Sequence, residues 1–129
     1  MAGEPILIVD DNEANLKLLR WLLEKKGYEV HTACDALTAR AAIRALRPRL
    51  VLMDIQLPDV DGLQLTREFK ADPGLRDIPV VAVTSYAMKG DQQKSIDAGC
   101  DGYITKPIDT RQFPLDIEKY LRGAKGERG

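Results

Sequence analysis

Apolar residues in this chain come in short, dense runs, and each run stops abruptly on polar residues. Pro5-Ile6-Leu7-Ile8-Val9 meets Asp10-Asp11-Asn12, and Leu50-Val51-Leu52-Met53 meets Asp54. Ile78-Pro79-Val80-Val81-Ala82-Val83 meets Thr84-Ser85. Continuous runs of this length fit strands buried on both faces, as in a parallel sheet. Tyr28 to Thr32 alternates weakly and reads as a more peripheral strand, and Asp101 to Thr105 as a short last one.

Between the strands the period changes to that of helices. From about Glu13 to Lys26, Leu18, Leu19, Leu22 and Leu23 form one stripe, with Asp10, Asp11 or Asn12 as cap and Gly27 as stop. Trp21 falls roughly 140° from the centre of that stripe, so either the fold wraps this helix or Trp21 is exposed. Asp35 to Leu46 is an Ala-rich helix stopped by Arg47-Pro48, and a helix of about Leu63 to Ala71 is broken by Asp72-Pro73-Gly74. Helices of about Lys89 to Ala98, closed by Gly99, and from a cap at Asp109 or Thr110 to about Arg122 complete the pattern. The expected organisation is one domain over 1–122 and a frayed polar tail over 123–129. Five strands alternating with five helices predict an α/β fold, a doubly wound parallel sheet with helices on both faces. Right-handed crossovers and a reversal after the first unit suggest the order 2-1-3-4-5, an order taken from known doubly wound sheets rather than deduced.

Composition narrows the function classes. At 129 residues, 44% apolar and 30% charged, the chain suits a single globular domain with its own core. A net charge of −1 without a basic block gives no support to a nucleic-acid surface. No apolar run approaches a membrane span, and Pro5–Val9 is too short for a signal segment. Cys34 and Cys100 fit neither a disulfide framework nor a zinc pattern, and buried free thiols in a reducing cytoplasm are expected. The one histidine, His31, is expected on the surface or a strand edge rather than in a catalytic triad.

In a doubly wound sheet the ligand site lies beyond the carboxyl ends of the strands. This chain places Asp10 and Asp11, Asp54, Thr84 and Lys106 at four of those ends. Singly, each has an ordinary explanation: a helix cap, a turn residue, a loop. Together they do not, because four strand ends carry compatible polar groups while the intervening strands are apolar. An acid where a buried strand emerges is costly unless something cationic meets it. Three neighbouring carboxylates repel one another, and a hard divalent cation such as Mg²⁺ relieves that repulsion. A metal-bound carboxylate beside a lysine and a hydroxyl is suited to phosphoryl transfer.

The chain resembles the receiver domain of two-component response regulators, the single-domain, chemotaxis-regulator-like kind, from Ile6 to Leu121. The matching motifs are Val9-Asp10-Asp11, Met53-Asp54-Ile55 with Leu57-Pro58 and Asp61-Gly62, Val83-Thr84, Gly99-Cys100-Asp101-Gly102-Tyr103, and Lys106-Pro107. Each is weak alone; the ordered set is highly specific. The resemblance implies a flavodoxin-like sheet and Asp54 as phosphoacceptor, taking its phosphoryl group from a histidine kinase or a histidine phosphotransfer protein. It implies Mg²⁺ held by Asp10, Asp11, Asp54 and the Gln56 carbonyl, with Asp11 the direct ligand and Asp10 acting through bound water. Lys106 would pair with the phosphoryl oxygens, and Pro107 would follow a cis peptide bond. Thr84 and Tyr103 would form a switch that alters the surface of the fourth helix, fifth strand and fifth helix for a downstream target protein.

The competing functions are weaker. A phosphatase of the haloacid dehalogenase type needs an Asp-x-Asp motif after its first strand, and here the acids are adjacent. A flavodoxin-like carrier needs a Ser/Thr/Gly-rich phosphate loop there, and Asp10-Asp11 would repel FMN phosphate. A purely structural domain leaves the acid cluster unexplained. Within the receiver reading, the expectation is a stand-alone regulator or relay shuttle, or a receiver cut from a hybrid histidine kinase or multidomain regulator. It would catalyse only its own phosphorylation and dephosphorylation.

Overall fold

The computed structural model describes residues 3–85 and 89–126, with the side chains of 89–92 and 123–126 left aside. In chain order the elements are β1 (Pro5–Val9), α1 (Glu13–Glu24), β2 (Glu29–Ala33), α2 (Ala36–Leu46) and β3 (Leu50–Asp54). They continue as α3 (Gly62–Ala71), β4 (Val80–Thr84), α4 (Lys89–Asp97), β5 (Gly102–Thr105) and α5 (Phe113–Gly126). The strands pair in parallel in the order β2-β1-β3-β4-β5. The parallel sheet is the one that the alternation of runs predicts, and its order is the one taken from known doubly wound sheets. The most apolar strands, β1, β3 and β4, take the three central places, and the weaker ones lie at the edges.

The period of two sorts each central strand between two cores. Ile6, Ile8, Leu50, Leu52, Val81 and Val83 face Leu19, Leu22 and Leu23 of α1 and Phe113, Ile117 and Leu121 of α5. Leu7, Val9, Val51, Met53 and Val80 face Ala36, Ala39 and Ile43 of α2 and Leu65 and Phe69 of α3. The small residues of α2 let that helix sit close to the sheet. Ile55, Leu63, Ala82 and Ala98 make a third, smaller cluster under the β5 side, with Tyr103 packed against it.

Several local expectations shift. Trp21 is 56% exposed, which settles the off-stripe alternative, and Lys25 covers its ring with Nζ 4.2 Å from the centroid. Leu16, by contrast, packs partly buried against the first core. Cys34 is exposed rather than buried: it stands in the loop just after β2 ends at the buried Ala33, outside the sheet. Cys100 is half-buried, and burial pushes its thiol up to about 11. His31 sits on the edge strand β2, 2.6 Å from Glu29. α2 ends on Arg47 in a left-handed conformation (φ 49°), its N–H bonded to the Ile43 carbonyl, and Pro48 follows. Asp109 does accept from the Arg111 and Gln112 N–H groups, but a turn intervenes and α5 begins only at Phe113. At its other end α5 runs past Arg122 to Gly126: no proline follows, and Gly123 costs only about 1 kcal/mol relative to alanine inside a helix. The expected tail over 123–129 is thus helical in its first part, and 127–129 lie outside the described residues. No helix among the described residues is long and apolar enough to cross a membrane.

Candidate functional site

Pairing of β1 with β3 sets Val9 beside Met53, so the residues that follow, Asp10 and Asp54, emerge side by side at the carboxyl edge of the sheet. Both are buried, at 1% and 6% exposure, while Asp11 is exposed. One carboxylate oxygen from each of the three lies within 4.8 Å of the others. Lys106 arrives from the end of β5, where its N–H donates to the Thr84 carbonyl at 2.8 Å and its peptide bond to Pro107 is cis. Its ammonium stands 3.1 Å from Asp10 Oδ2 and 3.6 Å from Asp54 Oδ2.

The backbone completes the setting. Asn12 N–H donates to Asp10 Oδ1 at 2.9 Å, and Gln56 N–H donates to Asp54 Oδ1 at 3.1 Å. Asp54 is pushed up to about 6, first by burial and then by the neighbouring Asp10 charge, against the pull of Lys106 and the Gln56 N–H. Two acids and one ammonium in a nearly dry corner leave a negative excess. The Asp11 carboxylate adds to it from the rim. The three carboxylates offer hard oxygen ligands, so the cluster fits a hard cation such as Mg²⁺, with Asp10, Asp11 and Asp54 as its carboxylates.

Asp11, Asp54, Gln56 and Lys106 line an open cleft of about 390 Å³. Asn12, Asn15 and Ser85 also line it. Sequence reasoning did not single these out, although Asn12 and Ser85 directly follow strand-end residues already marked. Thr84 is fully buried at the end of β4, in register with Thr105. Tyr103 pairs with Ala82 one layer further in, its ring half-buried against the third cluster and away from the cleft lining. The expected site residues thus divide into a cleft group and, behind it, a Thr84–Tyr103 group on β4 and β5.

The loop from β3 to α3 is fixed by contacts that the sequence does not advertise. Asp61 caps α3 through the Leu63 N–H at 2.8 Å. Gly62 is needed for closeness rather than for an unusual turn: a Cβ there would lie 2.1 Å from the Asp54 carbonyl oxygen. Asp59, exposed at the loop tip, reaches the N-terminus of α2 and accepts from Ala36 N–H at 2.9 Å and Leu37 N–H at 3.2 Å.

Comparison with known proteins agrees with this architecture. The family model of the response regulator receiver domain matches residues 6–118. The polar-differentiation response regulator DivK of Brucella anthropi is 49% identical over 119 residues, which cover 92% of this chain and 97% of that protein. A CheY-like response regulator receiver domain protein from Methanospirillum hungatei has a similar solved structure, with a TM-score of 0.87 and 35% identity over 98% of this chain and 99% of that one. The receiver domain of a sensor histidine kinase from Pseudomonas aeruginosa, solved with a magnesium ion coordinated in its active-site cleft, gives 0.85 and 32% over 93% and 98% of the two chains. With its sheet order, its buried acid pair and its matched motifs, this chain belongs to the response regulator receiver domain family.

Proposed function

We propose that the chain is a phosphorylation-dependent switch in which Asp54 accepts a phosphoryl group from a phosphohistidine on a histidine kinase or histidine phosphotransfer protein. The observation that carries this reading is the convergence of Asp11, Asp54 and Lys106 on one cleft, with the buried Asp10 paired to Lys106 beside it. An Asp54 carboxylate oxygen attacks the phosphorus in line. A P–O bond forms as the P–N bond breaks, and the electron pair leaves on the imidazole nitrogen. The Lys106 ammonium meets the charge on the transferring oxygens. Asp10, Asp11, Asp54 and the Gln56 carbonyl would hold a magnesium ion, which when bound supplies the divalent charge that offsets the incoming phosphoryl group. Asp11, exposed at the rim, would be a direct ligand, and Asp10, paired with Lys106, would act through water.

Phosphorylation turns a monoanion into a dianion, and the Thr84 hydroxyl moves to bond it. Tyr103 then turns into the space released, which changes the surface of α4, β5 and α5 for a downstream protein. The chain so read is no free-standing enzyme, works in the cytoplasm, and touches neither nucleic acid nor membrane. Incubation with acetyl phosphate and Mg²⁺ tests it. One hydroxylamine-labile phosphoryl group is expected on the wild type and none on Asp54→Asn; equal labelling of the two proteins would sink the assignment.

A further inference from the structure

We propose that Asp59 is a positioning residue for the phosphoacceptor, fastening the β3–α3 loop to the N-terminus of α2 and so fixing Gln56 against Asp54. The inference rests on the reading of Asp54 given above. Its basis is a carboxylate that is exposed yet fully engaged. Asp59 Oδ1 accepts from Ala36 N–H at 2.9 Å and from Val60 N–H at 3.0 Å, and Oδ2 from Ala36 at 3.1 Å and Leu37 at 3.2 Å. These N–H groups, Ala36 first, hold the Asp59 carboxyl below its ordinary value.

The helix already has a local cap, because Asp35 accepts from Thr38 N–H at 2.8 Å. Asp59 reaches in from 23 residues away and takes the two donors that Asp35 leaves, at the positive end of the helix. What this contact adds is therefore a tether on the loop. Leu57 and Val60 pack partly buried on the α2–α3 side, and Gly62 N–H bonds the Ile55 carbonyl at 2.7 Å. Gln56 is exposed, yet its N–H meets Asp54 Oδ1 at 3.1 Å. A loop held at Asp59 keeps that N–H, and the carbonyl of the same residue, in fixed positions. If the loop is freed, both drift and the Asp54 carboxylate loses one of its anchors.

Amide hydrogen exchange on the metal-free full chain tests the tether, and titration with manganese(II) alone tests its consequence. Asp59→Ala is expected to speed exchange at the Gln56 amide about fivefold, the scale of losing a helix-capping acceptor. It should also weaken manganese binding severalfold. Asp59→Asn, which keeps one acceptor oxygen, should restore part of both. Asp35→Ala removes the other cap of the same helix, so it should speed exchange at Thr38 and leave Gln56 and manganese affinity unchanged. Unaltered Gln56 exchange in Asp59→Ala, or equal acceleration by Asp35→Ala, overturns the proposal and leaves Asp59 an ordinary cap. A wild type that binds no manganese while its Gln56 amide responds to Asp59→Ala upholds the tether and defeats the metal-dependent reading of the site.

Discussion

Lys106 holds its ammonium 3.1 Å from Asp10 but 3.6 Å from Asp54. The lysine thus leans on Asp10, not on the proposed nucleophile, and Asp54 keeps a carboxylate that is only partly compensated. Both partners are well shielded, with side-chain exposures of 14% for Lys106 and 2% for Asp10. Lys106→Met strips the cation from this corner. It is expected to lower stability at neutral pH by up to about 3 kcal/mol, because a buried ion pair loses one member while Asp54 takes up a proton in partial relief. Labelling by acetyl phosphate should slow by at least about tenfold, since a donor aimed at the transferring oxygens is gone. An unchanged labelling rate would remove Lys106 from the chemistry.

Asp54 gives a pH signature of its own. Its carboxyl sits at about 6 in the folded chain, against 3.8 for the free group, with burial and the Asp10 charge as the leading causes. Between those values the folded state binds more protons than the unfolded one, so this group lowers stability as pH rises through that window. Above it the cost levels off at up to about 3 kcal/mol. Asp54→Asn, which is neutral throughout, should therefore melt several degrees higher than wild type at pH 7.5 without divalent cations. The gap should close as pH falls toward 4, and added Mg²⁺ should narrow it at neutral pH. A melting-temperature difference that stays constant from pH 4 to 7.5 would mean that Asp54 carries no such cost.

The sheet and the cleft were legible for one reason: in a parallel sheet the core strands are apolar from end to end, so a polar residue at a strand end stands out. Asp10, Asp54 and Thr84 announce themselves in that way, whereas Lys106, after the short and less apolar β5, stands out only as one more polar strand end in the series. The Asp59 contact does not, because a carboxylate next to a turn looks like any loop acid until the fold brings Ala36 to it. Exposure of Cys34 was misjudged because thiols are usually buried, whereas its loop position after Ala33 decides the matter. The start of α5 was placed too early because Asp109 caps a turn that precedes the helix proper.

Gly62 illustrates a residue whose presence was visible and whose reason was not. Beside Asp61 it reads as turn chemistry, yet it is the first residue of α3, and a Cβ would press on the Asp54 carbonyl oxygen at 2.1 Å and on Ile55 Cα at 2.8 Å. Both neighbours are backbone and cannot rotate away. Gly62→Ala is expected to cost about 3 kcal/mol by denaturant unfolding, at the upper end of ordinary overpacking. It should also slow phosphorylation, since the push falls on Asp54, the proposed nucleophile. Gly74→Ala is the contrast: its nearest neighbour would be Asp72 Oδ1 at 3.4 Å, a side-chain atom at ordinary contact distance, and stability should scarcely change. Equal losses at the two positions would mean that the contact with Asp54 is not what selects glycine.

The output of the switch is the last expectation. Thr84 is buried at the end of β4, next to the cleft, and Tyr103 is packed half-buried on Ile55, Leu63, Ala82 and Ala98, one layer behind it. In the proposed switch, a hydroxyl drawn toward a phosphoryl group on Asp54 would alter the space on the β5 side, where Tyr103 is a large side chain placed to respond. A partner that prefers one Tyr103 position shifts the balance by its differential affinity, about 1.4 kcal/mol for each tenfold. By linkage the same partner must favour the phosphorylated form. With a beryllofluoride mimic of the phosphoryl group, NMR shifts are expected to spread from Asp54 through Thr84 to Tyr103 and α5. Thr84→Ala should still be labelled at Asp54 yet lose the distant shifts. Changes confined to the loops around Asp54 in the wild type would leave the surface near Tyr103 without a role in signalling. A Thr84→Ala protein whose Tyr103 shifts in full would assign the coupling to a route that bypasses the threonine hydroxyl.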